Sequence, residues 1–384
     1  VLDDLFRAGV NVVRLNFSHG DPSGQAKRAA AVRAAAQRAG AEVGILADLP
    51  GPKIRVEKFA EGKVKLKMGD RFDLVARTDA PPGDATQVGV SYLGLPGDVQ
   101  PGDVLLLDDG LMQLQVVSVE GDRIINTVLN DGMLSDRKGL NKQGGGLSLG
   151  AITEKDRELI AIAAGMDVDF IAVSFCRTAE DMHEARRVAR AHGSRAALVA
   201  KIERAEAIPH LEDILRASDG IMVARGDLAV EVGNAAVPAL QKKMIRRARA
   251  LDKVVITATQ MMESMILHPV PTRAEVSDVA NAVLDGTDAV MLSAETAVGR
   301  YPLETVLEVS KICAAAEAAE DPHQDADFTG RTFGRIDQSI AMGALFTAHH
   351  LGAKAIVAMT DSGATALWMS RQRIHIPIYA LTPK

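Results

Sequence analysis

Two apolar runs of this sequence end in charged side chains that suit a metal-assisted reaction of a phosphorylated acid. The run 221–224 leads directly into Arg225-Gly226-Asp227, and the run 197–202 carries Lys201 and leads into Glu203. Lys201 and Glu203 lie two residues apart, so both side chains point to one side of an extended strand. Two carboxylates and an ammonium group at neighbouring strand ends can hold a divalent ion and an anionic substrate. We therefore predict that Glu203 and Asp227 bind Mg2+ or Mn2+. Alternatively, each carboxylate considered alone could cap the N-terminus of a helix.

Other apolar runs also end in polar side chains. Arg14, Asn16 and Ser18 alternate at the end of the run 11–17, so they share one strand face, and His19 follows them. A polar edge strand is the alternative interpretation of this pattern. It is disfavoured because the intervening residues are apolar, which indicates a central strand.

The run 43–48 ends in Asp48 and passes through a Pro-Gly turn to Arg55. The Arg55 guanidinium could bind a phosphate through two parallel hydrogen bonds, although a solvated turn would show the same residues. Thr259 follows the run 254–258 and is placed to reach the site, and Ser293 follows the run 289–292.

Composition limits the classes of protein that the chain can belong to. A length of 384 residues predicts two or three domains. The net charge of -6 argues against nucleic acid as the main partner. No apolar run reaches the roughly 20 residues of a membrane span. Cys176 and Cys313 match no metal-binding spacing, which favours a reduced protein of the cytoplasm.

Short apolar runs alternate with helical stretches over most of the chain, which predicts a parallel sheet covered by helices. The predicted strands are 11–17, 43–48, 168–175, 197–202, 221–224, 254–258 and 289–292. Together with an opening helix that lacks its strand, they indicate a (β/α)8 barrel without its first strand, formed by residues 1–52 and 139–321. A doubly wound sheet is the alternative. Polar groups at nearly every strand end favour the barrel.

The segment 53–138 alternates apolar and polar residues and contains several turn signals, so we predict a small antiparallel β domain inserted above the barrel as a lid. The polar segment 321–333 predicts a linker. Residues 322–384 then begin a C-terminal α/β domain that we expect to be truncated. We also expect that the chain lacks residues at its N-terminus.

In their order along the chain, these motifs resemble pyruvate kinase. The matching segments are 11–20, 51–55, 153–156, 200–203, 222–228, 258–265, 271–275 and 291–296. The resemblance covers nearly the whole chain. It implies Mg2+-dependent transfer of a phosphoryl group from phosphoenolpyruvate to ADP, which gives ATP and pyruvate.

The resemblance also implies roles for individual residues. Glu203 and Asp227 would hold Mg2+, and Lys201 would neutralise the phosphoryl group during transfer. Arg14 and Arg55 would bind phosphates.

The remaining implied roles concern the substrate carboxylate, the enolate carbon and the nucleotide. Gly226 and Asp227 would offer backbone amides to the substrate carboxylate. Thr259 would face the enolate carbon. The proton would come either from Thr259 itself or from a water relayed through Ser293. Asn16, His19, Arg55 and Lys138 are the implied nucleotide-binding residues, and a homotetramer is the implied assembly.

One departure from the family pattern concerns potassium. Many relatives hold K+ near the equivalents of Asn16, Ser18 and Asp48, with an acid at the position of Lys53. Here Lys53 carries an ammonium group and Leu49 replaces a threonine. We therefore predict that Lys53 substitutes for K+ and that potassium is not required. A Lys53 side chain that points into solvent is the alternative.

Three further functional hypotheses stay open from the sequence. A Mg2+-dependent lyase or aldolase acting on phosphoenolpyruvate or pyruvate would also place Glu and Asp on a metal, but it needs no inserted β domain. The chain could be an inactive fragment. A non-catalytic relative would be expected to lack Lys201, Glu203, Asp227 and Thr259, which are all present.

Overall fold

The computed structural model describes residues 1–319, 333, 335–372 and 376–383. Its chain forms two compact units, Val1–Cys313 and Ala314–Lys384. The predicted linker 321–333 falls almost entirely outside the described residues. The predicted domain boundaries stay a prediction.

The strands β1 to β17 and the helices α1 to α13 are numbered along the chain. The strands are Val12–Asn16, Gly44–Asp48, Lys63–Leu66, Arg71–Val75, Gln87–Gly89, Val104–Leu107, Met112–Glu120, Arg123–Val128, Gly132–Ser135, Leu140–Lys142, Phe170–Val173, Ala197–Ile202, Gly220–Ala224, Val254–Ala258, Ala289–Met291, Ile356–Met359 and Ile378–Leu381. The helices are Leu2–Arg7, Pro22–Ala39, Leu95–Asp98, Glu154–Gly165, Ala179–Ala191, Leu211–Ala217, Arg225–Val232, Val237–Ala250, Arg273–Asp285, Ala294–Ala297, Pro302–Ala319, Ile336–His350 and Ala364–Ser370.

The main sheet contains seven parallel strands in the order β1-β2-β11-β12-β13-β14-β15. Neighbouring strands are joined by helices, and the five inner strands are short and mostly buried, as expected for a sheet that is covered on both faces. The edge strands β1 and β15 are less buried, so the expectation that residues 11–17 form a central strand is wrong for this sheet. The strand order follows the chain order without a switch. This order confirms the predicted fold class and argues against a doubly wound sheet, in which the order reverses.

The two faces of this sheet bury different sets of apolar side chains. Alternate residues such as Ile45, Ile171 and Leu198 pack with the helices in the largest hydrophobic cluster. The intervening residues form a smaller cluster of Leu46, Ala172, Val199, Met222 and Ala258. Because side chains alternate along a strand, this second row marks the inward face of the sheet.

The inserted segment forms a six-stranded sheet in the order β10-β6-β7-β8-β4-β5 and a separate pair, β3 and β9. Most of its pairs are antiparallel, as predicted. The exception is β4 with β5, which run parallel. Before β5 begins, Gly83 bonds to the backbone of Lys58 and Ala60, and β5 then runs in the same direction as β4. Strand β10 lies beyond residue 138, where the predicted insert ended, and yet it pairs with β6 of the inserted sheet.

The second unit contains α12, α13 and the parallel pair β16 and β17. Its buried side chains form a cluster of their own, including Leu345, Ala358 and Met369. This arrangement agrees with the predicted start of an α/β domain. Within the described part of the chain, no helix combines the length and the apolar character needed to cross a membrane.

Candidate active site

The candidate site begins where the inward row of apolar side chains ends. Asp48 lies two residues after Leu46, Ser174 two after Ala172, and Lys201 two after Val199. The two-residue period keeps each of these polar side chains on the inward face of its strand. The sheet therefore brings them together at the carboxyl ends of β2, β11 and β12, which is the face where barrel enzymes carry their active sites.

The Lys201 ammonium group is the centre of this cluster. Its Nζ lies 3.2 Å from Asp48 Oδ1 and 2.9 Å from Glu203 Oε1, and it donates a 2.8 Å hydrogen bond to Ser174 Oγ. Burial alone would lower the pKa of Lys201, but the Asp48 and Glu203 carboxylates outweigh burial and raise it. Lys201 is therefore a permanent cation.

Asp48 connects Lys201 with the arginine of the first strand. Its side chain is 2% exposed, and its Oδ2 lies 2.5 Å from Arg14 Nε while its Oδ1 faces Lys201. One buried carboxylate thus orients two cations. The Ser174 hydroxyl, which accepts from Lys201, donates in turn to the carbonyl oxygen of Leu49, so this cluster is anchored on the backbone of the residue that follows β2.

Glu203 is buried and is held on both carboxylate oxygens. Oε1 faces Lys201, and Oε2 accepts a 2.8 Å hydrogen bond from the backbone N–H of Phe175. Burial raises the pKa of Glu203, the Lys201 charge opposes this shift, and the negative charge of Asp227 adds to it. The Asp227 carboxylate thus acts on Glu203 as a like charge that disfavours its ionised form.

Asp227 lies in the first turn of α7 and is paired with Lys53. The Lys53 Nζ is 3.2 Å from Asp227 Oδ1 and 4.0 Å from Asp109 Oδ1, and the Lys53 side chain is 30% exposed. Lys53 follows the turn that leaves the barrel, and Asp109 lies between β6 and β7 of the inserted sheet. The contact therefore brings the insert to the barrel site and argues against a lysine that points into solvent.

The donor set formed by Glu203 and Asp227 fits a divalent cation. The two carboxylates repel each other, and an ion between them would remove that repulsion. In the described ranges, no group of three or more His, Cys, Asp or Glu side chains is arranged to hold a metal. Two carboxylates suffice for Mg2+, because this ion keeps several waters and takes further ligands from substrate oxygens.

Thr259 lies next to the start of α7. Its Oγ1 accepts a 3.0 Å hydrogen bond from Gly226 N–H and donates to the carbonyl oxygen of Ala258. The Gly226 amide, which was predicted to meet a substrate carboxylate, is thus bonded to Thr259 in this structure.

Ser293 is tied to the same side of the sheet through Glu295. The buried Glu295 carboxylate accepts from the Ser293 and Met262 amides. It therefore joins the segments that follow β15 and β14, and the second of these carries Thr259.

The predicted nucleotide-binding residues fall in two places. Asn16, Ser18 and His19 lie at and just after the end of β1, where Asn16 Oδ1 accepts from Ser18 N–H. Arg55 and Lys138 lie on paired segments of the insert, where Arg55 donates to the Arg137 carbonyl oxygen and Lys138 pairs with Asp108 at 2.8 Å.

No hydrogen bond or ion pair among the described residues joins this second group to the cluster around Lys201. The structure thus brings together Arg14, Asp48, Lys201 and Glu203, but it does not bring Arg55 or Lys138 into contact with them.

The sequence analysis missed Ser174, Phe175 and Glu295. Ser174 and Phe175 hold Lys201 and Glu203 in place, and Glu295 binds the Ser293 and Met262 amides. Ser174 could have been found by extending the two-residue period of its strand beyond Ala172. Phe175 acts through its backbone N–H and Glu295 through backbone partners, so their side-chain types gave no signal.

The fold is that of a barrel enzyme, and the buried lysine, the arginine and the carboxylates at its active face are groups that could bind an anionic substrate and a metal. Comparisons with known proteins identify which one. Residues 1–306 match the family "Pyruvate kinase, barrel domain", and residues 338–384 match "Pyruvate kinase, alpha/beta domain". The chain belongs to the pyruvate kinase family. It has pyruvate kinase activity, the transfer of a phosphoryl group from phosphoenolpyruvate to ADP.

Individual relatives agree with the family match. The chain is 53% identical to pyruvate kinase II of Salmonella typhimurium over 385 residues, which cover 99% of this chain and 80% of the relative. It is 52% identical to a pyruvate kinase of Haemophilus influenzae, with the same coverage. A crystal structure of a pyruvate kinase from Cryptosporidium parvum superposes with a TM-score of 0.95 at 37% identity, over 100% of this chain and 80% of that one.

Replacing Lys201 by methionine should destabilise the protein in a pH-dependent way. The change leaves the buried Glu203 without its cation, whereas Asp48 keeps Arg14, and removing one partner of a buried ion pair costs about 3–5 kcal/mol. Burial already raises the native-state pKa of Glu203, and without the opposing Lys201 charge this pKa would rise further, so the folded variant would bind an extra proton and its deficit would shrink as the pH falls. Urea unfolding with a chelator present, at about pH 8 and about pH 5.5, measures this difference. Lys311→Met, at an exposed ion pair, is the control, and a deficit that is equal at both pH values would contradict the prediction.

Proposed function

We propose that the cluster around Lys201 carries out the phosphoryl transfer and that the neighbouring Thr259 faces the carbon that is protonated afterwards. The single observation that carries this proposal is the buried Lys201 ammonium, which is fixed by Asp48, Glu203 and Ser174. A permanent cation in a water-poor site stabilises the charge that develops in the transition state.

Each residue has a separate task in the proposed reaction. Glu203 and Asp227 would hold Mg2+ or Mn2+, which would supply positive charge to stabilise the anionic substrate. Arg14 and Lys201 bind the phosphoryl oxygens, and loss of one such donor typically costs about 3–4 kcal/mol of transition-state stabilisation.

The reaction then proceeds in two chemical steps. In the first, an oxygen of the ADP β-phosphate forms a bond to phosphorus while the bond between phosphorus and the enol oxygen breaks, which leaves the enolate of pyruvate. In the second, the enolate carbon accepts a proton on the side of Thr259, either from the Thr259 hydroxyl or from a water near Ser293.

The nucleotide is bound by Asn16, His19, Arg55 and Lys138. Arg55 and Lys138 would reach it from the inserted sheet as the insert closes.

Lys53 takes the place of a potassium ion in this proposal. Its ammonium lies 3.2 Å from the Asp227 carboxylate, and within the described ranges it makes no hydrogen bond or ion pair with Asn16, Ser18 or Asp48. Its fixed positive charge would therefore act from the Asp227 side of the site. The homotetramer and the location in the cytoplasm remain predictions that rest on the family and on the composition.

The direct test of the proposed reaction is an assay of pyruvate release from phosphoenolpyruvate. We expect release that requires both Mg2+ and ADP and that forms one ATP for each pyruvate. A lyase or aldolase would release pyruvate without ADP, and an inactive fragment or non-catalytic relative would release none. Either result would contradict the proposal.

The role of Lys53 predicts how activity responds to salt. Replacing a bulky organic chloride by KCl at constant ionic strength should leave the rate of the unmodified protein nearly unchanged. Lys53→Met and Lys53→Glu should both lower the rate in the organic salt and make it rise many-fold with KCl, because the fixed charge is gone. Lys58→Glu, an exposed lysine of the same segment, is the charge-matched control. A many-fold stimulation of the unmodified protein by K+ would refute the role of Lys53.

A further inference from the structure

Thr259 has a backbone conformation that is unfavourable for its residue type. Its φ is 69° and that of Gln260 is 55°, which places both in the left-handed region. A β-branched residue is a genuine outlier there. Such a conformation persists only where the surrounding structure fixes it, and these outliers cluster at functional sites. A neighbouring group must therefore hold Thr259 in this conformation.

The Arg225 guanidinium binds the backbone on either side of this outlier. Arg225 Nη2 donates to the Thr259 carbonyl oxygen at 2.5 Å, and Nε donates to the Ala258 carbonyl oxygen at 3.2 Å. The rigid planar guanidinium thus fixes two successive peptide groups, which a single ammonium could not do with the same geometry. The Arg225 side chain is 11% exposed.

Asp278 of α9 fixes the guanidinium itself. Arg225 Nη1 lies 2.8 Å from Asp278 Oδ1 and 2.7 Å from Oδ2. Arg225 is also the first residue of α7, and the next residue, Gly226, donates its N–H to the Thr259 hydroxyl. The same short segment therefore holds the Thr259 backbone through a side chain and the Thr259 hydroxyl through an amide.

We propose that Arg225, oriented by Asp278, is a positioning residue that holds Thr259 in its left-handed conformation and so aims the Thr259 hydroxyl into the active site. This inference rests on the proposed function, in which Thr259 faces the enolate carbon. Arg225 touches neither substrate nor metal in this account, and it acts only through Thr259. Its loss should therefore impair proton delivery to the carbon more than the binding of phosphoenolpyruvate or of the metal.

The first test uses Arg225→Lys, which keeps the charge but cannot bind both carbonyl oxygens in the same way. A misplaced catalytic group typically costs about 10- to 100-fold in rate, so kcat should fall by about that factor, with a much smaller change in KM for phosphoenolpyruvate. The Mg2+ activation constant should stay unchanged. Exchange of the pyruvate methyl protons in D2O, followed by NMR, should slow by the same factor as kcat. Arg247→Lys, at an ion pair with Glu212, is the control and should retain full activity.

The decisive test is a double-mutant cycle with Thr259→Ala. If Arg225 acts through Thr259, Arg225→Lys should cause little further loss of kcat in the Thr259→Ala background. Equal factors in both backgrounds, or a changed Mg2+ constant, would overturn the inference while leaving the role of Thr259 intact. Full activity of Thr259→Ala alone would instead overturn the proposed role of Thr259 and the inference with it. Asp278→Asn, which leaves Arg225 in place, should repeat the effect of Arg225→Lys more weakly, so the inference stays testable if Arg225→Lys fails to fold.

Discussion

The rest of this site depends on one buried ammonium group shared by two buried carboxylates. Lys201 is fixed by Asp48, Glu203 and Ser174, and each of these residues is in turn fixed by another element. Asp48 also holds Arg14, Glu203 accepts from the Phe175 amide, and Ser174 donates to the Leu49 carbonyl oxygen just after β2. Burying so many charges is unfavourable unless they are paired, so the network has little freedom to adopt another arrangement.

The same constraint explains how separate parts of the chain meet at the site. The parallel strands bring their carboxyl ends to one face, and the inward row of apolar side chains continues into the polar groups. The inserted sheet reaches this face through Lys53, which pairs with Asp227. A cation that binds Asp227 would change the contact between Asp227 and Lys53. We therefore expect metal binding and the position of the insert to be coupled.

The sequence predicted those parts of the structure that depend on local patterns. Apolar runs placed the main strands, and the polar residues after them predicted Lys201, Glu203 and Asp227 at the site. The parallel pairing of β4 and β5 was not predictable, because it depends on bonds between Gly83 and a distant segment. The contacts of Phe175, Glu295 and Arg225 were equally unpredictable from the sequence. Each of these residues makes a hydrogen bond that involves a backbone atom and a residue remote in sequence, and side-chain patterns do not encode such contacts.

The central claim is that Glu203 and Asp227 together hold one divalent ion beside Lys201. Binding of Mn2+, followed by electron paramagnetic resonance in the absence of substrate and with phosphoenolpyruvate, tests it directly. The account predicts one site that is weakened by both Glu203→Gln and Asp227→Asn, each by about tenfold or more, since even loss of an outer partner of a metal ligand costs that much. Asp109→Asn should leave the affinity nearly unchanged. Mn2+ affinity that survives either substitution at Glu203 or Asp227 would contradict the account.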